Sequence, residues 1–141
     1  NQNARPEELV VTTAAAPEKR APFLEKIHFV QNQQPIATGN PLQARQPFLV
    51  CTRLAMENPP DRERLDAESP NYSIQIKAKK RATGHAISYK SHIGSMRAGQ
   101  HVYEDKITMP KCAAGEYVLD VVAIAPAARL AEHKEFELCV S

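Results

Sequence analysis

The sequence predicts an all-β domain, an antiparallel β-sandwich of seven strands behind a linker-like N-terminal tail, and three observations predict it. After Pro22, β-prone runs recur at the spacing of a sandwich, each bounded by Pro, Gly, Asn or a polar break. Residues 72–80 alternate cleanly, with Tyr72, Ile74, Ile76 and Ala78 on one face and Ser73, Gln75, Lys77 and Lys79 on the other. Residues 114–121, A-G-E-Y-V-L-D-V, read as a tight approach into a central strand. There Gly115 supplies a permissive backbone, and Tyr117, Leu119 and Val121 alternate with Glu116, Val118 and Asp120.

Residues 1–22 are rich in Ala, Pro and polar groups with cancelling charges, which reads as a linker or tail, and residues 23–141 form the domain. Within the tail, Leu9, Val10, Val11 and Thr12 make a β-prone patch suited to an added edge strand. The first strand is expected over 23–30, and 36–38 continues it beyond a polar break towards the Gly39-Asn40-Pro41 turn. The second spans 47–56. In the loop 57–70 that follows, D-R-E-R-L-D-A-E lies between prolines and pairs its charges at i,i+3 and i,i+4, enough for a turn of helix. The third strand, 72–80, joins the fourth, 85–92, through a hairpin turning on Thr83 and Gly84. The fifth covers 101–109 and the sixth 116–124. The Ala-rich segment 125–134 is interrupted by Pro126 and reads as a loop with a single helical turn, leaving 134–140 as the seventh strand.

With 141 residues the chain suits one domain with a real core. Its composition is globular, 43% apolar and 24% charged, and with no Trp the core falls to Val, Ile, Leu, Phe and Tyr. No apolar run approaches the ~20 residues of a membrane helix, and no secretory h-region is present, so membrane insertion is not expected. The chain opens on Asn1 rather than Met, the mark of a processed product or a cut fragment. Cys51, Cys112 and Cys139 have neither C-x-x-C spacing nor a histidine at ligand distance, which argues against structural zinc; no metal and no cofactor are expected. In an oxidising compartment Cys112 with Cys139 is the pairing that fits, and buried free thiols are the common alternative.

A net charge of +2 is too small to argue for nucleic acid. Its distribution carries more. Between Asn71 and His101 there is no Asp or Glu, while Lys77, Lys79, Lys80, Arg81, Lys90 and Arg97 all fall there; just upstream, Glu57, Asp61, Glu63, Asp66 and Glu68 crowd one loop.

Strand number, spacing and the A-G-E-Y-x-L-x-V stretch make residues 23–140 resemble the immunoglobulin-like family, in the broad sense that includes fibronectin type III and bacterial Ig-like domains. Tyr117 looks like the family's tyrosine at the entry to strand F. The chain departs from antibody-type domains by lacking the core Trp and the inter-sheet cysteine pair, since 116–124 holds no Cys. The resemblance implies a fold and assigns no function.

Two surfaces follow. If Tyr117, Leu119 and Val121 face the core, then Val118, Val122 and Ile124 point outward together on a central strand and need cover, from the tail, from neighbouring side chains or from a partner. In the resembling fold the third and fourth strands share a sheet, so Lys77, Lys79, Ser88, Lys90 and His92 are expected on one basic face, which reads as a solvated surface or an anion site. Catalysis has less support. The histidines at 28, 85, 92, 101 and 133 fit no motif, and Glu104 and Asp105 are adjacent on a strand and so point to opposite faces. The 57–70 loop lacks the D-x-D-x-D-G pattern of a calcium site.

The expectation is a non-catalytic Ig-like accessory module, not an enzyme, mediating interaction within a larger protein or complex. Its partner would be another protein, another domain or a second copy, bound through Val118, Val122 and Ile124 with Lys77 and Lys79 at the rim. The alternative is an anionic glycan or polyanion on Lys77, Lys79, Lys90 and His92; nucleic acid is disfavoured because no aromatic side chain interleaves with the lysines.

Overall fold

The first strand, β1 (Leu24–Gln31), turns back on itself through Asn32 and Gln33, whose φ angles are 54° and 64°. A two-residue turn with both central residues left-handed matches the twist of a hairpin. The segment after it therefore does not continue the first strand, as expected, but pairs with it as β2 (Gln34–Ile36), with Phe29 opposite Ile36. The computed structural model describes residues 22–141. The tail and its Leu9–Thr12 patch lie outside the described residues, Pro22 excepted.

The remaining elements are β3 (Phe48–Ala55), α1 (Arg62–Ala67), β4 (Asn71–Lys80), β5 (Ala86–Ser95), β6 (Val102–Met109), β7 (Gly115–Ala125) and β8 (Leu130–Val140). They make two antiparallel sheets of four strands, in the orders β2-β1-β3-β6 and β5-β4-β7-β8. The domain is all-β, and the two sheets face one another as a sandwich. Helix α1 is the turn expected between the prolines: Asp61 accepts a hydrogen bond from the Arg64 amide at 2.9 Å as its N-cap, and Leu65 is buried beneath it.

Strand β8 starts earlier than expected. A single 3-10 turn at Pro126–Ala128, closed by Arg129 in the left-handed region at φ 56°, reverses the chain at once. Residues 130–134 are thereby free to pair with β7, Ala125 opposite Leu130.

The inward faces form one core that includes Leu24, Val50, Leu54, Ile74, Ile76, Met109, Leu119 and Val121, all buried. On β4 the inward set is the one the alternation predicts, Tyr72, Ile74, Ile76 and Ala78. Tyr117 is buried at the start of β7, and its hydroxyl donates to the Ala113 carbonyl at 2.7 Å, locking the approach to the strand. Gln31 is a buried polar residue with its amide satisfied: it donates to the carbonyls of Gln43 and Gln46 and accepts from the Gln43 amide.

Polar side chains close one flank. Glu132 on β8 accepts from the Phe23 and Leu24 amides, both at 2.8 Å, and Lys134 donates to the Leu24 carbonyl at 2.7 Å. The clasp sits where β1 is irregular, between Leu24 and Lys26, and it supplies the partners that the interrupted ladder leaves open.

Candidate functional site

The outer face of the β5-β4-β7-β8 sheet collects most of the residues singled out in the sequence. Antiparallel partners project to the same side, and the register sets out rows across it. Ile93, Ser73, Ile124 and Ala131 form one row; Ser91, Gln75, Val122 and His133 the next; then Tyr89, Lys77, Asp120 and Glu135; then Lys79, Val118 and Glu137. Val118, Val122 and Ile124 do point outward together, and Lys77 and Lys79 share their face. All three apolar residues are half-buried.

The expected basic face is not formed. Lys77 lies opposite Tyr89, whereas Lys90 lies opposite Ile76 and His92 opposite Ile74, on the core-directed side of β5 together with Ser88. The reason is a β-bulge. Lys79 pairs with Ala86, but Ala78 pairs with Ser88, so Ile87 is an extra residue on β5 and every later partner moves by one. A one-residue slip exchanges the two faces of a strand. Unbulged pairing from Ala86 would set Ser88 beside Lys77 and bring the five residues to one face.

The bulge turns apolar residues outward instead. Ile87, Tyr89 and Ile93 are 40%, 56% and 66% exposed, and these are the large exposed hydrophobics among the described residues. They share the outer face with half-buried Val122 and Ile124 and are separated from them by the polar Ser73, Gln75 and Lys77 of β4. Sequence reading missed them because the alternation of β5 is readable only once its register is known.

At the centre of the face, Lys79 is paired with Asp120 at 2.7 Å, and His133 Nε2 lies 3.2 Å from the same carboxylate. Burial pushes the Asp120 pKa up, but hydrogen bonds with Lys79, His133 and Glu135 and the charge of Lys79 outweigh it and hold the group below the usual 3.8. Asp120, His133 and Glu135 also bring three potential metal-ligand atoms within 4.8 Å of one another. The Lys79 ammonium already occupies one Asp120 oxygen, so an incoming cation meets a fixed positive charge.

His92 belongs to a different constellation. It lies 3.0 Å from one oxygen of Asp105 on β6, whose other oxygen accepts from the Tyr72 hydroxyl at 2.5 Å, so the carboxylate bridges the two sheets. Burial first, then the bond to Asp105, raises the Tyr72 pKa well above its ordinary 10. Glu104 turns to the other side and pairs with Arg53 at 2.8 Å, the opposite-face arrangement expected of neighbours on a strand.

A cleft of about 630 Å³ opens on the far flank, lined by Ile27, Phe29, Ile36, Phe136 and Leu138. Arg81, bonded to Glu116 at 2.9 Å, stands at its mouth. The three cysteines are free thiols. Cys112 is buried, Cys139 is exposed, and no bridge joins them. Burial raises the pKa of Cys51 and of Cys112.

No family model matches this chain, and no curated protein matches it. Solved structures are similar to it. The C-terminal domain of wzt is similar with a TM-score of 0.55 at 13% identity, over 84% of this chain and 72% of that one. The PmoD soluble domain from Methylocystis sp. ATCC 49242 (Rockwell) has a TM-score of 0.49 at 8% identity, over 82% and 89%. Superoxide reductase (neelaredoxin) from Ignicoccus hospitalis has a TM-score of 0.44 at 13% identity, over 82% and 83%. The expectation that the chain is not an enzyme is corrected to an open question of activity: one of the structures it is similar to, a superoxide reductase, is an enzyme by its name, and at these scores the likeness assigns no activity to this chain either way. Such identities carry the fold alone. Among the described residues no helix is long and apolar enough to cross a membrane.

Proposed function

We propose that this chain is an Ig-like interaction module of a larger protein or complex, docking another protein or domain on the outer face of the β5-β4-β7-β8 sheet. The observation that carries this reading is the exposed apolar surface of β5: Ile87, Tyr89 and Ile93 meet solvent, and half-buried Val122 and Ile124 share their face beyond the polar row of β4. Exposed apolar surface of this kind, with Lys77 and Lys79 beside it on the same face, is what protein interfaces use. The Ig-like assignment has its support in the Tyr117 hydroxyl bonded back to Ala113, the corner expected where the chain enters strand F.

The alternative, an anionic glycan or polyanion, has lost its surface. Lys77 and Lys79 stand on one face and Lys90 and His92 on the other, Lys79 is neutralised by Asp120, and His92 is engaged with Asp105.

Hydrogen–deuterium exchange tests the reading, comparing the chain alone with the assembly purified from its source. Protection gained on β4, β5 and β7 and reduced by Val122→Asp is the expected result. Protection confined to the β1–β8 flank would move the interface to the cleft beside Phe136. Sedimentation at rising concentration distinguishes a second copy from a different partner.

A further inference from the structure

We propose that β5 is an acceptor edge: it takes an extended segment of a partner protein as a fifth strand, and it selects one that alternates apolar with acidic residues. This deepens the interaction-module reading and rests on it. Strand β5 ends its sheet, so beyond its pairing with β4 one backbone edge has no partner among the described residues. Such an edge is a ready template for another strand. Natural edges are commonly blunted by shortness, proline, clustered charge or a bulge; the bulge of β5 lies at its start, and residues 88–95 pair without interruption along β4. The ten residues of β5, A-I-S-Y-K-S-H-I-G-S, contain no proline and one lysine.

The two faces of β5 specify the occupant. On the outer side an added strand would lie against Ile87, Tyr89 and Ile93. On the opposite side it would meet Lys90, which is exposed and has no carboxylate within ion-pair distance among the described residues. The whole stretch from Asn71 to His101 lacks Asp and Glu, so nothing on β4 or β5 themselves offsets that charge. Side chains on an added strand alternate between these two environments, apolar outward and carboxylate inward. The same lysine opposes a second copy docked edge to edge about its own position, where Lys90 would face Lys90.

The probe is an N-acetylated ten-residue peptide alternating Val and Glu, titrated into the full chain and followed by amide NMR, with a Val/Lys peptide of equal length as comparison. The expected result is saturable shifts and slowed amide exchange along β5, weaker by about tenfold or more for the Val/Lys peptide. Lys90→Glu should reverse that preference. Tyr89→Ser with Ile93→Ser should weaken both peptides, circular dichroism confirming that the exposed substitutions leave the fold intact. Equal binding of the two peptides, shifts outside β5, or absence of saturation would overturn the proposal. Sedimentation showing self-association through β5 would replace it with a dimer. If the peptide fails while Val122→Asp still alters protection in the native assembly, only the acceptor edge falls.

Discussion

Strands β4 and β5 are neighbours of equal length and opposite character. Along β4 burial alternates, and Tyr72, Ile74, Ile76 and Ala78 lie under the opposite sheet; along β5 no residue is fully buried. Its apolar side chains face solvent, and its polar Ser88, Lys90 and His92 take the core-directed side. The difference shows that alternation follows burial rather than strand formation. A central strand must separate apolar from polar residues, whereas an edge strand at the margin of the core is free to carry a surface.

The largest expected effect breaks β4. Ile76→Ala removes a fully buried side chain and should cost about 2–5 kcal/mol in denaturant unfolding. The same change at Ile93 on β5 should stay within about 0.5 kcal/mol. Equal losses at the two positions would refute the contrast.

Next comes a close approach between the two strands. Gly94 pairs with Tyr72, and a Cβ at Gly94 would overlap the tyrosine ring. Gly94→Ala should cost about 1–3 kcal/mol, and a double-mutant cycle with Tyr72→Leu should recover part of it.

Tyr72→Phe comes third, at about 1–2 kcal/mol, because it leaves an Asp105 oxygen without its donor. The wild type carries a matching pH signature. A tyrosine whose folded pKa is raised contributes stability that is fully present below its ordinary 10 and is lost as pH rises through the folded value. Unfolding at pH 9 and pH 11 should therefore converge between wild type and Tyr72→Phe. A gap that persists undiminished would contradict the linkage.

The smallest effect belongs to the outer face. Lys79→Ala should cost under about 1 kcal/mol, as expected of a partly exposed pair. Asp120 has a lowered pKa, so its contribution is present above 3.8 and lost as pH falls through the lower folded value. The variant should thus differ from wild type at pH 6 and approach it near pH 2, read by thermal unfolding.

Much of this frame was legible in the residues. The period of two in 72–80 gave the correct faces of β4, Asp61 through Glu68 held the expected helical turn, and Tyr117 marked the entry to β7. The left-handed Asn32 and Gln33 turn was not legible, because Gln at such a position carries no strong local preference, and β2 was merged with its neighbour. Phe29 and Phe136 meet edge to face across the flank, with centroids 6.5 Å apart, although 107 positions separate them in the chain. No local pattern encodes such a meeting.

By itself the sequence determined the all-β class, the core face of β4 and the outward direction of Val118, Val122 and Ile124, because alternation and turn chemistry act over a few residues. Tertiary structure alone decided that Lys90 and His92 leave the face of Lys77, that Asp105 joins Tyr72 to His92 across the sheets, and that Ile87, Tyr89 and Ile93 meet solvent. Each of these depends on which residue stands opposite which, and one bulged residue in β5 resets all of the later pairings at once.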